Sequence, residues 1–162
     1  MCHWLESKGV ENTSPMNKGG SQQQVGGVRV TMVHADLVHA DLSCGILDEG
    51  KIVYGGEACG YVVEFADGQR LYHAGDTNVF GDMALIRELY EPEVAMLPIG
   101  DLFIMGPREA AAAVRLLGVK KVIPMHFGTF PPLVGRPQEL RKLVAGLGVE
   151  VVALEPGGSL AV

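Results

Sequence analysis

The chain has 162 residues, 48% of them apolar and 6% aromatic, with a net charge of −6 and only 13 Lys and Arg, which are scattered. That length suits one domain with a real core, and the lack of a basic stripe with stacking aromatics argues against a nucleic-acid groove. No apolar run approaches the roughly 20 residues of a membrane span, and the opening MCHWLESKGVENTSP lacks the basic start and apolar stretch of a signal peptide.

Residues 1–27, Gly/Ser/Gln-rich from Asn12 onward, read as a loose N-terminal arm with one helical turn around Trp4-Leu5. Residues 28–162 read as one domain. Val28–His34 reads as a strand, with Val30, Met32 and His34 on one face and Arg29, Thr31 and Val33 on the other. The stretch VHADLVHADL then says five residues twice, each copy with a His and an Asp two positions apart. Lys51–Tyr54 and Gly60–Phe65 are short strands, and Asp67-Gly68 predicts a two-residue hairpin turn into Gln69–His73. Asp82 is placed to cap a helix over residues 83–89 that stops before Pro92. Val94–Ile99 is a nearly unbroken apolar run, as a strand buried on both faces requires, and Val119–Met125 reads as another buried strand. Pro107 opens a helix that Gly118 closes, and Pro137 opens another that ends near residues 146–148. Val149–Leu154 and Ser159–Val162 complete the strands. A hairpin region followed by β-α-β-α-β units predicts a layered α/β (α+β) domain, a mixed β-sheet with helices on one face.

Three cysteines, Cys2, Cys44 and Cys59, make an odd count without C-x-x-C spacing. Free thiols in a reducing, cytoplasmic compartment are the expectation.

The polar residues that stand out lie where strands end. LYHAGDT ends on Asp76 and Thr77, PIGD on Asp101, and IPMHFGTF carries His126. In layered α/β folds the loops at one edge of the sheet line the site. Carboxylate and imidazole on neighbouring strand ends suit a borderline ion such as zinc, manganese or iron. Each residue also has a structural reading. Asp76 after Gly75 could be a turn former, His126 a hydrogen-bonded strand-end histidine, and Asp101 a cap before Pro107. His73, three residues before Asp76, suits a supporting or packing role.

The motifs HAGDT, LPIGD-x-F-x-MGP and P-x-H-F-x-TFP, in this order and spacing, resemble the metallo-β-lactamase superfamily, in its branch of metal-dependent hydrolases. The resemblance covers nearly all of residues 4–160. It implies two metal ions between two β-sheets flanked by helices, with Asp76 as a bridging ligand and His126 as a late ligand. The signature H-x-H-x-D-H, which supplies most ligands from the N-terminal half of the family, is absent. The resemblance is therefore to a C-terminal part, half of an αβ/βα sandwich. The family also places a ligand His after the strand that here ends VRVTMVHA. Leu42 stands in that position, and the repeat puts Leu37 in the equivalent one. His34 and His39 are nearby imidazoles that could substitute, or could simply pack or face solvent.

An uncovered inner sheet face should bury itself, because several hundred Å² of wet apolar surface would cost on the order of 10 kcal/mol. A second copy of the chain is the expected cover, giving a homodimer around Asp76, His126 and either His34 or His39. His73, Asp101 and Thr77 are expected behind these ligands. The implied function is a hydrolase in which metal-activated water attacks a small-molecule ester, a phosphodiester or a lactone. The alternative is an inactive remnant that serves as an interaction or assembly module.

Overall fold

A computed structural model describes residues 1–37 and 45–161. His39 and Leu42 lie outside the described residues. In chain order the elements are α1 (Cys2–Ser7), β1 (Ser21–Gln23), β2 (Arg29–His34), β3 (Gly45–Asp48), β4 (Lys51–Tyr54), β5 (Cys59–Glu64), β6 (Arg70–His73), α2 (Met83–Tyr90), β7 (Val94–Pro98), α3 (Pro107–Leu117), β8 (Lys121–Met125), α4 (Pro137–Leu143) and β9 (Glu150–Val151). Seven strands form one mixed sheet in the order β1-β2-β5-β6-β7-β8-β9, and β3-β4 is a separate hairpin. The β1-β2-β5-β6 side is antiparallel, and β6-β7-β8-β9 is parallel.

The parallel half follows from sequence chemistry. β7 and β8 are apolar on both faces, as strands covered on both sides must be. α3 starts on Pro107, whose missing N–H falls where no intrahelical bond is needed. It ends on Gly118 at φ 64°, where a side chain would be strained. Its buried stripe is Ala110, Ala111, Ala113, Val114 and Leu117.

One row of register partners, Thr31, Val62, Tyr72, Ala95, Val122 and Val151, crosses the sheet and is buried throughout. Val62, Tyr72, Ala95 and Val122 join Met83 and Ile86 of α2, the α3 stripe and Leu140 of α4 in one core. The opposite face is different. Its register partners Met32, Tyr61, His73 and Met96, with Val63 and Leu71 beside them, are only half-buried. Helices therefore cover one face and leave the other partly open.

Several expectations change. Ser21–Gln23, in the segment expected to be a loose arm, adds an edge strand, and Ser21 Oγ lies 2.7 Å from Thr31 Oγ1 across the pair. The β5–β6 turn is one residue longer than the Asp67-Gly68 signal implied. Phe65 N–H donates to Gln69 O at 2.8 Å, enclosing Ala66-Asp67-Gly68, with Gly68 at φ 87°. Asp82 sits at the helix start as expected but makes no side-chain cap bond there. β9 is shorter than Val149–Leu154. Residues 159–161 form no strand among the described residues, because the chain there follows a turn at Gly157, φ 83°, and finds no neighbouring strand to pair with.

Candidate functional site

Parallel pairing of β6, β7 and β8 brings three chain exits to one edge of the sheet. Asp76 leaves β6, Asp101 leaves β7 and His126 leaves β8. The first exit turns on Gly75 at φ 67°, and a Cβ there would stand 2.5 Å from Cys59 O. Only glycine lets the chain swing the following carboxylate outward. His73 holds this turn: its Nδ1 accepts the Gly75 N–H at 3.1 Å. Its side chain therefore supports the loop that carries Asp76.

Thr77 locks the same loop from the other side. It is fully buried, and its Oγ1 accepts the Asp36 N–H at 2.9 Å and donates to Asn78 O at 2.7 Å. Asn78 N–H donates to Asp36 O at 2.8 Å, and Met105 N–H donates to Thr77 O at 3.2 Å. The β2 and β7 exits are thereby tied to the Asp76 loop. The Asp36 backbone was not legible as a partner, since its role depends on a contact 41 residues away. The repeated HAD was its only trace.

His126 Nε2 lies 3.8 Å from Asp76 Oδ2, too far for a hydrogen bond. Two donors bound to one ion at the usual ligand distances stand about 3–4 Å apart. The imidazole's other nitrogen, Nδ1, is buried and has no hydrogen-bond partner among the described residues. His126 also sits at φ 54°, a left-handed conformation that costs a side-chain-bearing residue roughly 1–2 kcal/mol and is common at functional sites. The pair is half exposed, with side-chain accessibilities of 31% for His126 and 55% for Asp76. A cleft of about 270 Å³ opens beside Asp76, lined also by Leu37, Ile46, Glu57 and Cys59. A larger cleft of about 480 Å³ lies elsewhere, among Arg70, Arg87, Glu91 and Lys120.

The donor set fits part of a divalent-ion site. One carboxylate and one imidazole at this separation can share an ion. A stable site generally takes three or more protein ligands, and the described residues contain no group of three His, Cys, Asp or Glu that could hold a metal. His34 does not join the pair. Its Nδ1 lies 3.2 Å from Lys18 Nζ, its ring meets Phe80 edge-on at 5.0 Å, and Lys18 also donates to Glu57 at 2.9 Å. An ammonium beside the imidazole opposes a second cation. Asp101 forms a turn instead. It sits at φ 73°, and its Oδ1 accepts the Leu102 N–H at 2.7 Å. Near the cleft, the hydrogen bond with Cys59, reinforced by burial, pushes the Tyr61 phenol up to about 12. Cys2 and Cys59 are free thiols.

Gly100 and Gly135 are two residues that sequence reasoning left aside. A Cβ on Gly100 would run into His126 O, and one on Gly135 into Ile99 O. The β7 and β8 exits therefore touch backbone to backbone. Gly100 lies in LPIGD, so the motif itself was the available signal.

Comparison with known proteins adds relatives. The Beta-lactamase superfamily domain matches residues 2–127. A UPF0173 metal-dependent hydrolase from Solibacter usitatus is 67% identical over 156 residues, covering 96% of this chain and 65% of that protein. One from Koribacter versatilis is 60% identical, covering 89% and 59%. The structure of Igni18, a metallo hydrolase from the archaeon Ignicoccus hospitalis, superposes with a TM-score of 0.81 at 34% identity, covering 98% of this chain and 64% of that one. The chain thus spans 59% to 65% of the length of these relatives.

Proposed function

Since the chain belongs to the β-lactamase superfamily domain family, we propose that it works as a metal-dependent hydrolase of esters, with Asp76 and His126 as its own share of the metal ligands. The observation that carries this reading is the Asp76–His126 pair, with His126 Nε2 set 3.8 Å from Asp76 Oδ2 at the exits of neighbouring parallel strands. Zinc suits the donor set best, and manganese and iron are the other candidates. When bound, such an ion supplies a Lewis acid and a water acidic enough to react near neutral pH. With an ion held there, Asp76 would be placed to orient the water and accept its proton, and its 55% exposure leaves the carboxylate within reach of substrate. His126 holds its ring toward Asp76 because the β7 and β8 exits are locked at Gly100. His73 and Thr77 keep the Asp76 loop in place. Phosphodiesters, lactones and carboxylic esters all present an oxygen that this chemistry can polarise.

The remaining ligands come, in this reading, from a second copy of the chain. Two observations support that partner. The sheet face around Met32, Tyr61, Leu71 and Met96 is half open, and Leu47, Ile52 and Tyr54 of the β3-β4 hairpin are exposed at 59% to 70%. The accessible surface is 9562 Å², roughly 1,700 Å² above the figure expected for a monomer of this mass. A standard interface removes about 800 Å² per partner, and obligate ones remove more. A two-fold dimer would place two Asp76 and two His126 at one site.

The test is metal content after stripping and reloading with zinc or manganese, alongside hydrolysis of bis(p-nitrophenyl) phosphate and p-nitrophenyl acetate. Asp76→Ala and His126→Ala should each lose metal and chelator-sensitive hydrolysis. Variants that bind as much metal as the parent would overturn the reading. An inactive, metal-free dimer would instead support the assembly-module alternative, and a co-purifying different polypeptide would replace the second copy as partner.

A further inference from the structure

The β3-β4 hairpin stands apart from the rest of the fold. It pairs with no strand of the seven-stranded sheet. No residue of Gly45–Asp48 or Lys51–Tyr54 is buried, and none belongs to the core. Its own geometry is complete. Glu49 and Gly50 turn at φ 48° and 78°, the two-residue turn whose twist matches that of paired strands. Gly45 then pairs with Tyr54, Ile46 with Val53, Leu47 with Ile52 and Asp48 with Lys51. Such an element can move as one piece, because moving it exposes little buried surface.

The base of the hairpin walls the cleft beside Asp76. Gly45 and Ile46 at the start of β3, and Gly55 and Gly56 after β4, line the same cleft as Cys59 and Asp76. The register puts Ile46, Val53 and Asp48 on one face of the hairpin and Leu47, Ile52 and Tyr54 on the other. The first three are half-buried and the last three exposed, so the Ile46 face is the one turned toward the body of the molecule.

The chain leaves β4 through a hinge. Gly56 stands at φ 106°, and a Cβ there would meet nothing within 4 Å. Glycine is needed at this point for the backbone angle and not for close packing. The next residue, Glu57, is tied to Lys18 Nζ at 2.9 Å. A swing of the hairpin is therefore taken up at Gly55 and Gly56.

At the other end Asp48 accepts two bonds from α1, from Trp4 Nε1 at 2.9 Å and from Lys8 Nζ at 2.8 Å. The segment that carries α1 is in turn tied to the sheet edge. Thr13 Oγ1 donates to Glu6 Oε1 at 2.6 Å, and Ser14 Oγ donates to Gln22 Oε1 of β1 at 2.7 Å. Asp48 thus fastens the hairpin to the main sheet through side chains alone.

We propose that the β3-β4 hairpin is a lid on the Asp76 cleft, hinged at Gly55 and Gly56 and latched by Asp48 to Trp4 and Lys8. Releasing the latch opens the cleft. This rests on the hydrolase reading for what the cleft does, and it adds control over what enters.

The experiment reads entry from Cys59, which lines the cleft. In a Cys2→Ser, Cys44→Ser chain Cys59 is the sole thiol, and its rate of reaction with N-ethylmaleimide is followed without metal at one protein concentration. Asp48→Ala should label roughly tenfold faster than the parent, as the loss of two bonds to one carboxylate implies. Trp4→Phe and Lys8→Met each remove one bond and should give part of that effect. Amide exchange over residues 45–54 should quicken in the same variants while residues 121–125 stay unchanged. Labelling and exchange equal to the parent's in all three variants would overturn the lid. So would a matching acceleration at residues 121–125, which would mean a general loss of stability. A parent Cys59 that reacts as fast as in the urea-unfolded chain would overturn it too, because the cleft would already stand open. A parent that binds no zinc fails the hydrolase reading alone, since both rates are read without metal.

Discussion

Tyr72 lies in the middle of the sheet with no exposed surface, and its hydroxyl has no hydrogen-bond partner among the described residues. Burial pushes its phenol up. An unsatisfied buried hydroxyl costs about 1–3 kcal/mol, so Tyr72→Phe should raise stability by about 1 kcal/mol in urea unfolding. Gly75 makes the opposite case. Its φ of 67° and its closeness to Cys59 O leave no place for a methyl group. Gly75→Ala should cost at least about 1–2 kcal/mol and reduce bound zinc, because Asp76 is the next residue. Paired unfolding and metal measurements check both effects. The candidate ligands Asp76 and His126 were legible because a carboxylate and an imidazole stood at strand ends within known motifs. The fates of His34 and Asp101 were not. Lys18 reaches His34, 16 positions further on, only after the chain between them folds back, and the turn role of Asp101 depends on a left-handed backbone that no residue type announces.

At the scale of elements, one carboxylate of the β3-β4 hairpin holds the α1 segment through two side chains. Trp4 Nε1 donates to Asp48 Oδ2 at 2.9 Å, and Lys8 Nζ donates to Asp48 Oδ1 at 2.8 Å. The Lys8 bond, followed by the Trp4 bond, lowers the Asp48 pKa below the ordinary carboxylate value. A depressed folded value means that this docking is fully present above the unfolded value of about 3.9 and is lost as pH falls through the folded one. Trp4 is the sole tryptophan, so its fluorescence should shift in acid before the sheet unfolds. Asp48→Asn should move that shift to neutral pH and speed amide exchange over residues 2–8. The long periodic elements were readable ahead of the structure. β7, β8 and α3 stand close to where apolar runs, Pro107 and Gly118 put them. The short edge strand β1 was not, since a three-residue Ser-Gln-Gln segment becomes a strand only when β2 offers it a free edge.

For the whole molecule, the proposed second copy on the half-open sheet face predicts concentration-dependent stability. An obligate dimer unfolds at a temperature that rises with protein concentration. The Tm should therefore increase between micromolar and hundred-micromolar samples. Leu71→Asp, which puts a charge on the open face opposite the helices, should lower it and shift sedimentation toward the monomer. A Tm independent of concentration would remove the second copy from the account. The sequence alone was enough for the fold class, the parallel half of the sheet and the choice of Asp76 and His126 as candidate ligands, because periodicity, Pro and Gly placement and local motifs act over a few residues. Only the tertiary structure decided that His34 belongs to Lys18, that Thr77 and Asp36 brace the Asp76 loop, and that Gly100 and Gly135 bring the strand exits into backbone contact. Those outcomes depend on distant segments closing onto one another at particular angles, and no local pattern encodes such an angle.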